Sequence, residues 1–299
     1  YNGSVGGDAG GSMTDYTQGG DDTITISRHM DSGFLGGDAA GSMGGNVRSG
    51  NDSIAVNTVR ALANTEMSYI GGDAALDMSD AIQGGNDTIS VSYLHGGYVG
   101  GDAGGAMLDR TQGGDDSITV YAMYNDSRVG GDSGGHMEAQ TKGGNDDVYV
   151  GYLSSGQVGG DAAYNMMADA QGGNDSITLN HYIYGGHAGG DAGYDMQDNA
   201  RGGDDHILIA YVGAGKTGAD AIILGVGGDA GNTMSGYAQS GNDSIQINDS
   251  VNAGYVGGDA GYDMLDYVAG GNDTIAIAQH IGNGYVSGDA GRNMEGETR

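Results

Sequence analysis

Two short elements alternate along this chain at a nearly constant distance. The first is Gly-Asp followed by Ala or Ser, and its ten aspartates form what we call the Gly-Asp-Ala ladder: Asp8, Asp38, Asp73, Asp102, Asp132, Asp161, Asp191, Asp229, Asp259 and Asp289. The second is Gly-Asn/Asp-Asp-x-Ile/Val, and its nine aspartates form the Gly-x-Asp ladder: Asp22, Asp52, Asp87, Asp116, Asp146, Asp175, Asp205, Asp243 and Asp273. Each of these nine follows a Gly-Asp-Ala aspartate by 14 residues, and the unit repeats about every 30 residues. Self-similarity at such a period indicates stacked coils rather than a globule.

The segment after each Gly-x-Asp aspartate alternates apolar and polar residues, as in Ile24 and Ile26 or Ile89 and Val91. Period-two alternation of β-branched residues between glycine-rich boundaries is typical of a strand. The repeat therefore predicts an all-β chain, a parallel β-solenoid of the β-roll or β-helix kind with about nine to ten coils. We expect residues 1–299 to form one repeat domain, either a segment of a longer protein or a subunit that polymerises.

A methionine stands at the same place in every unit: Met13, Met43, Met78, Met107, Met137, Met166, Met196, Met234, Met264 and Met294. The spacing of four from Ala9 to Met13 to Thr17 would suit one face of a short helix. Glycines such as Gly10 and Gly11 oppose a helix by about 1 kcal/mol each relative to alanine. We therefore expect an extended or flattened coil, with a helix as the alternative, and an internal stack of methionines.

The segment that closes each coil varies in length and is longest near residues 57–69 and 211–225. Insertions confined to one phase of a repeat map to loops on one face. Tyrosines stand just before the first apolar position of several coils: Tyr69, Tyr98, Tyr255 and Tyr285. Most simply they cover the coil edge, and the alternative is a ligand-binding surface.

The charge is strongly one-sided, with 40 acidic and 10 basic residues and a net charge of -30. Such a surface repels a phosphate backbone, so we expect no nucleic-acid partner. No apolar run approaches the roughly 18 residues of a membrane span, so we expect no membrane-spanning segment. The seven histidines lack the His-Glu-x-x-His spacing of zinc enzymes, and no Gly-x-Ser-x-Gly element occurs. We therefore expect no enzyme.

Stacking places carboxylate above carboxylate along both ladders. At the coil spacing of about 4.8 Å, neighbouring carboxylates repel by roughly 1 kcal/mol in water and by more where the dielectric constant falls. A turn-capping role would be filled equally by asparagine, yet all nineteen ladder positions are aspartate, whereas the position before the Gly-x-Asp aspartate alternates between Asn and Asp. Ca²⁺ prefers six to eight oxygen ligands from carboxylates and carbonyls. The sequence thus predicts that both ladders bind multiple Ca²⁺ ions, about 9 to 18 in all.

The string Gly85-Asn86-Asp87-Thr88-Ile89-Ser90, with its eight counterparts, resembles the second part of the nonapeptide of RTX (repeats-in-toxin) proteins. The resemblance implies a parallel β-roll in which glycine carbonyls and aspartates of neighbouring turns bind Ca²⁺. It also implies bacterial export and folding triggered by calcium outside the cell. The chain departs from the family pattern because Thr17-Gln18 stands where the first copy would begin with Gly-Gly, and because the period is about 30 residues. The implied ligand role therefore extends to the Gly-x-Asp ladder only.

These patterns lead us to expect a secreted structural protein, extracellular or on a cell surface, that contributes to a fibre, surface layer, matrix or stalk. Its expected partners are further copies stacked head to tail, or other surface and matrix components. One alternative is a calcium-dependent adhesin or ligand-binding module that uses the loop tyrosines. Another is an ice-binding protein, because pairs such as Thr23/Thr25 and Ser117/Thr119 begin the Thr-x-Thr ladders of some flat solenoids.

Overall fold

A computed structural model of the chain describes residues 3–61, 67–213 and 224–299. These residues contain no helix, and their strands wind into a parallel β-solenoid with a period of about 30 residues. The predicted all-β fold and its class are confirmed. Every strand pair runs parallel, and equivalent residues of successive coils stand in register, as Ile24 does with Ile54 and Val5 with Leu35.

Two large sheets form two of the solenoid's faces. The ten strands that precede the Gly-Asp-Ala turns form sheet 1: Ser4–Gly6, Phe34–Gly36, Ser68–Gly71, Gly97–Gly100, Ser127–Gly130, Gly156–Gly159, Gly186–Gly189, Leu224–Gly227, Tyr255–Gly257 and Tyr285–Ser287. The nine strands that follow the Gly-x-Asp turns form sheet 2: Thr23–Asp31, Ser53–Arg60, Thr88–His95, Ser117–Tyr124, Asp147–Val150, Ser176–Ile183, His206–Val212, Ser244–Ile247 and Thr274–Ile277. Both sheets order their strands as the chain does, so each coil adds one strand to each sheet.

The methionine segments form a third, narrower face of short strands: Met13–Thr14, Met43–Gly44, Met137–Glu138, Met166–Met167, Thr233–Met234, Asp263–Asp266 and Asn293–Gly296. Isolated parallel bridges, such as that between Met78 and Met107, continue the register from coil to coil. The extended coil that the glycines predict is therefore confirmed, and the alternative of a helix is wrong. The chain leaves this face through residues of left-handed conformation, including Asp80 at φ 74° and Asp109 at φ 60°, which a right-handed helix cannot accommodate.

The interior holds two separate hydrophobic clusters. One lies between the two sheets and contains residues such as Val99, Ile118 and Val120, which alternate inward along their strands. The other contains the methionine column with the alanines of the Gly-Asp-Ala turns, such as Ala103 and Met107. Met43, Met78, Met107, Met137, Met166, Met196, Met234 and Met264 are almost fully buried, as expected of an internal stack.

The two long closing segments are only partly described. The strands Ser53–Arg60 and Ser68–Gly71 occupy much of the predicted 57–69 loop, and residues 62–66 lie outside the described part. Similarly, His206–Val212 and Leu224–Gly227 take in both ends of the predicted 211–225 loop, and residues 214–223 lie outside the described part. Strand pairing therefore extends further into these closing segments than the sequence indicated.

Two adjacent methionines test the internal stack. Met166 is fully buried, whereas its strand neighbour Met167 is partly exposed. We expect Met166→Ala to lower the free energy of unfolding by about 2–5 kcal/mol, because it leaves a cavity between coils. Met167→Ala should change it by less than about 1 kcal/mol, since the side chain lies on the outer surface. Denaturant unfolding followed by circular dichroism measures both, and equal effects would contradict the assignment of the two faces.

Candidate metal centres

The two aspartate ladders face each other inside the solenoid and form a single row. In each coil the Gly-x-Asp turn lies against the Gly-Asp-Ala turn, and the N–H of Gly50 donates to the carboxylate of Asp38 at 3.1 Å. From Asp38 to Asp259 every ladder aspartate is buried, with at most 3% of its surface exposed. The sequence predicted two ladders without placing them relative to each other, and the structure brings them together.

Consecutive aspartates of this row form groups of three. Each group has two successive Gly-Asp-Ala aspartates and the Gly-x-Asp aspartate between them, such as Asp102, Asp116 and Asp132. One carboxylate oxygen from each member lies within 4.8 Å of the others. The described residues contain nine such groups, as many as the gaps between the ten Gly-Asp-Ala turns. Neighbouring groups share a member, since Asp132 also joins Asp146 and Asp161.

Most of these carboxylates accept a hydrogen bond from a backbone N–H. In the Gly-x-Asp ladder, Oδ1 accepts the N–H of the equivalent aspartate one coil earlier, at 2.6 Å from Asp52 to Asp87 and from Asp87 to Asp116. In the Gly-Asp-Ala ladder, a carboxylate oxygen accepts the N–H of a turn glycine in the same coil, as Asp102 does from Gly114 at 3.1 Å. These bonds orient the side chains towards the row.

The second oxygen of many of these carboxylates has no protein partner. Within the described residues, Oδ2 is buried and unpaired in every member of the Gly-x-Asp ladder: Asp22, Asp52, Asp87, Asp116, Asp146, Asp175, Asp205, Asp243 and Asp273. One oxygen is likewise unpaired in four members of the Gly-Asp-Ala ladder: Asp38, Asp73, Asp102 and Asp259. Buried polar atoms are normally hydrogen-bonded, and leaving one unpaired costs about 1–3 kcal/mol or more when it is charged. A repeated set of unpaired oxygens therefore calls for a positively charged or proton-donating partner.

The metal-free row favours protonation because its members are buried beside like charges. Burial, followed by the charge of Asp52, raises the pKa of Asp38 to about 7. Burial, followed by the charge of Asp102, raises the pKa of Asp87 to about 9. Burial raises the pKa of Asp102 itself only to about 6, because its interactions with the neighbouring carboxyls of Asp132 and Asp73 and with the N–H of Gly114 lower it. At neutral pH these carboxyls either take up protons or bind a cation.

An exposed ladder on the same turns provides an internal comparison. The residues that precede the Gly-x-Asp aspartates form this outer ladder: Asp21, Asn51, Asn86, Asp115, Asn145, Asn174, Asp204, Asn242 and Asn272. Each member after Asp21 donates its backbone N–H to the side-chain oxygen of the preceding member, as Asn86 does to Asn51 at 2.8 Å and Asn145 to Asp115 at 2.8 Å. Asparagine thus supports such a ladder as well as aspartate does, and no two aspartates are adjacent in it. Hydrogen bonding alone does not explain why the buried row is wholly aspartate.

Glycines leave room for the row. A Cβ atom on Gly113 would overlap the Oδ1 of Asp132 and lie 2.7 Å from the Oδ2 of Asp102. A Cβ atom on Gly101 would overlap the Oδ2 of Asp116. The glycines on both sides therefore permit the carboxylates to converge, and side chains there would fill the space between them.

The donor set fits a hard divalent cation. It consists of carboxylate oxygens without cysteine or histidine in the groups that are named above, and oxygen donors suit Ca²⁺, Mg²⁺ and Mn²⁺ rather than Cu⁺ or Zn²⁺. Typical Ca²⁺–oxygen distances are about 2.3–2.6 Å. Carboxylate oxygens that lie within 4.8 Å of one another can therefore bind the same ion.

Sequence reasoning missed two features. Ser49 and Ser240 lie in the row at a position where the other coils have glycine. The only sign of this in the sequence is that these two turns read Ser-Gly instead of Gly-Gly. The tyrosines also stack along the outside, and the rings of Tyr164 and Tyr194 lie 5.1 Å apart and almost parallel. Arg128 lies over Tyr164 at 3.9 Å. The residues of these pairs lie one coil apart in sequence and become neighbours only when the coils stack, so the sequence alone does not show their contacts.

No family model, curated protein or solved structure matches this chain. The described residues contain no helix that is long and apolar enough to cross a membrane.

The raised pKa values predict an unusual pH dependence for the metal-free protein. The pKa of an aspartate in an unfolded chain is about 3.9. Burial raises the pKa of Asp38, Asp52 and Asp259 in the folded chain to about 7. A raised folded-state pKa contributes stability that is present below the unfolded pKa and lost as the pH rises through the folded one. We expect the melting temperature of the chelator-treated protein to fall as the pH rises from about 4 to about 7. Over the same range, the melting temperature of the calcium-saturated protein should rise.

Circular dichroism melts at each pH would measure this, with 1 M salt as the control. Salt screens the exposed carboxylates to a Debye length of about 3 Å but screens the buried row much less. A metal-free melting temperature that stays level or rises over this range would contradict the assignment of buried, like-charged carboxyls.

Proposed function

We propose that this chain is a secreted, calcium-stabilised structural solenoid, divergently related to the RTX repeats, that serves in an extracellular fibre, surface layer, matrix or stalk. The observation that supports this most is the row of buried aspartates whose second oxygens have no protein partner within the described residues. A parallel solenoid with a 30-residue period and aspartate-rich turns is compatible with RTX-like repeats. The resemblance implies a ligand role for the Gly-x-Asp ladder only, whereas the groups of three contain aspartates of both ladders.

The charge balance supports one divalent ion in each gap. Nine ions would bring about eighteen positive charges to a row of nineteen aspartates, close to neutrality. Calcium suits the site better than magnesium, because Mg²⁺ keeps several waters and demands near-ideal octahedral geometry at about 2.0–2.1 Å. Side chains with at most 3% exposure leave little space for such waters.

The need for cations in the row also supports an extracellular location. Without cations the row has to be neutralised by protons, so calcium binding and folding are coupled. Extracellular calcium modules bind with dissociation constants of about 10⁻⁴–10⁻³ M, which suits the millimolar calcium outside cells. A chain of this kind would stay unfolded where calcium is scarce and fold after export.

The shape favours a structural role. Ten coils at about 4.8 Å each make a rod roughly 45 Å long. Because successive coils stack in parallel register, coils of another copy would continue the same stack, a heterologous contact that generates filaments.

An adhesin or ligand-binding module is the second candidate, and an aromatic row at the edge of sheet 2 favours it. His95 stacks on Tyr124 with ring centroids 4.7 Å apart, and Tyr124, Tyr152 and Tyr184 continue the row at 5.5 and 5.6 Å. Tyr93, stacked on His95, is 49% exposed. Calcium would support this module as it supports the rod. The ice-binding alternative gains no such support, because Tyr149 and Leu208 interrupt the outward Thr/Ser column of sheet 2.

Calcium titration tests the proposal directly. We expect the chain to be largely unfolded in chelator at pH 7.5 and to gain β-sheet circular dichroism with micromolar-to-millimolar Ca²⁺, because the ions neutralise the buried row. Light scattering in the same titration would separate a rod that forms filaments from a monomeric binding module. A melting temperature at neutral pH that is the same in chelator and in calcium would rule out calcium as a structural ion.

Adjacent aspartates provide a matched test of the sites. Asp116 lies in the buried row and in one group, whereas Asp115 lies in the exposed outer ladder. At a calcium concentration that just saturates the wild type, we expect Asp116→Asn to weaken one site and Asp115→Asn to weaken none. Asp132→Asn should weaken two sites, because Asp132 belongs to two groups.

Native mass spectrometry counts the bound ions in each variant. We expect about nine in the wild type and in Asp115→Asn, one fewer in Asp116→Asn and two fewer in Asp132→Asn. Equal counts for Asp115→Asn and Asp116→Asn would show that the buried row is not where calcium binds.

A further inference from the structure

One position of the repeat points directly into the row. It lies just before the glycine of each Gly-x-Asp turn and is glycine in seven coils: Gly19, Gly84, Gly113, Gly143, Gly172, Gly202 and Gly270. In the other two coils it is Ser49 and Ser240. A Cβ atom built on Gly113 or Gly202 would overlap the carboxylate of the next coil, Asp132 or Asp229. Any side chain at this position therefore enters the space between carboxylates.

The hydroxyl of Ser240 does so. It donates a hydrogen bond to Oδ2 of Asp229, in its own coil. The same hydroxyl also faces Asp259 in the next coil, and its interaction with the two carboxyls opposes the rise in pKa that burial causes in both. It thus stands between the two Gly-Asp-Ala aspartates that bound the gap. Asp243 is the Gly-x-Asp aspartate between these two in the repeat, and its Oδ2 has no hydrogen-bond partner within the described residues.

Ser49 occupies the equivalent place in the gap that is bounded by Asp38, Asp52 and Asp73. Its hydroxyl oxygen is buried and has no hydrogen-bond partner within the described residues. Asp38, Asp52 and Asp73 each have an unpaired oxygen as well. This hydroxyl is therefore available to donate to one of them.

We infer that Ser49 and Ser240 make the second and eighth of the nine gaps weaker calcium sites than the seven glycine gaps. The inference rests on the proposed calcium row and deepens it. In a glycine gap, loss of the ion leaves buried carboxyls with no side-chain donor between them, so that protons from the solvent must neutralise them. In a serine gap, the hydroxyl donates to a carboxylate once the ion has left, so the empty state is less unfavourable. A hydrogen bond to a charged group is strong enough to weaken these two sites about tenfold or more.

Removal of the hydroxyls tests this. Native mass spectrometry of calcium-loaded protein, at increasing chelator concentration, should show the wild type pass from nine ions to a plateau at seven. Ser240→Gly should give a plateau at eight. The double variant Ser49→Gly/Ser240→Gly should hold all nine ions until about tenfold more chelator is present. Ser117→Ala, on the exposed face of sheet 2, is the control and should keep the plateau at seven.

Two results would overturn the inference and leave the calcium row in place. One is a wild type that loses all nine ions in a single step, and the other is a plateau at seven that persists in the double variant. If no variant bound any calcium, the proposed function itself would fail. The Ser→Gly changes only remove atoms from the row, and circular dichroism at saturating calcium checks that each variant folds.

Discussion

Carboxyl groups are buried beside one another from Asp38 to Asp259, and the rest of the structure accommodates them. Two unit charges about 4 Å apart at an effective dielectric constant near 20 repel by about 4 kcal/mol, and the row repeats such contacts in every gap. The protein's hydrogen bonds satisfy only one oxygen of these carboxylates, since every Gly-x-Asp carboxylate after Asp22 accepts one backbone N–H and keeps its other oxygen unpaired. Stability therefore depends on what the solvent supplies to the row, a proton or a cation.

The two halves of the repeat differ in how much variation they tolerate, and the row explains the difference. The distance from each Gly-Asp-Ala aspartate to the next Gly-x-Asp aspartate is 14 residues in all nine units, whereas the rest of the coil varies in length. A single insertion between Asp102 and Asp116 would move one carboxylate out of its group. An insertion in the closing segment leaves both in place, and the long segments near 57–69 and 211–225 occur there.

Much of this architecture could be predicted from residues alone. The period, the strands after the Gly-x-Asp turns and the buried methionine column follow from patterns that local physics dictates, such as the alternation of Ile89 and Val91. The meeting of the two ladders could not be predicted, because the sequence gives the order of residues around a coil but not the angles of its corners. The range of about 9 to 18 ions reflected that gap, since Asp8 and Asp22 could have stood on separate edges. For the same reason the entry of Ser240 into the row was visible only in three dimensions.

The outer ladder shows how the solvent side of the rod manages charge. Its three aspartates, Asp21, Asp115 and Asp204, are separated by two asparagines each, which places them about 14 Å apart at the coil spacing of about 4.8 Å. The Debye length is about 8 Å at physiological ionic strength, so each exposed charge is screened from the next. Self-repulsion along this edge consequently does not accumulate as coils are added, and nothing in its electrostatics limits how many repeats such a rod can contain.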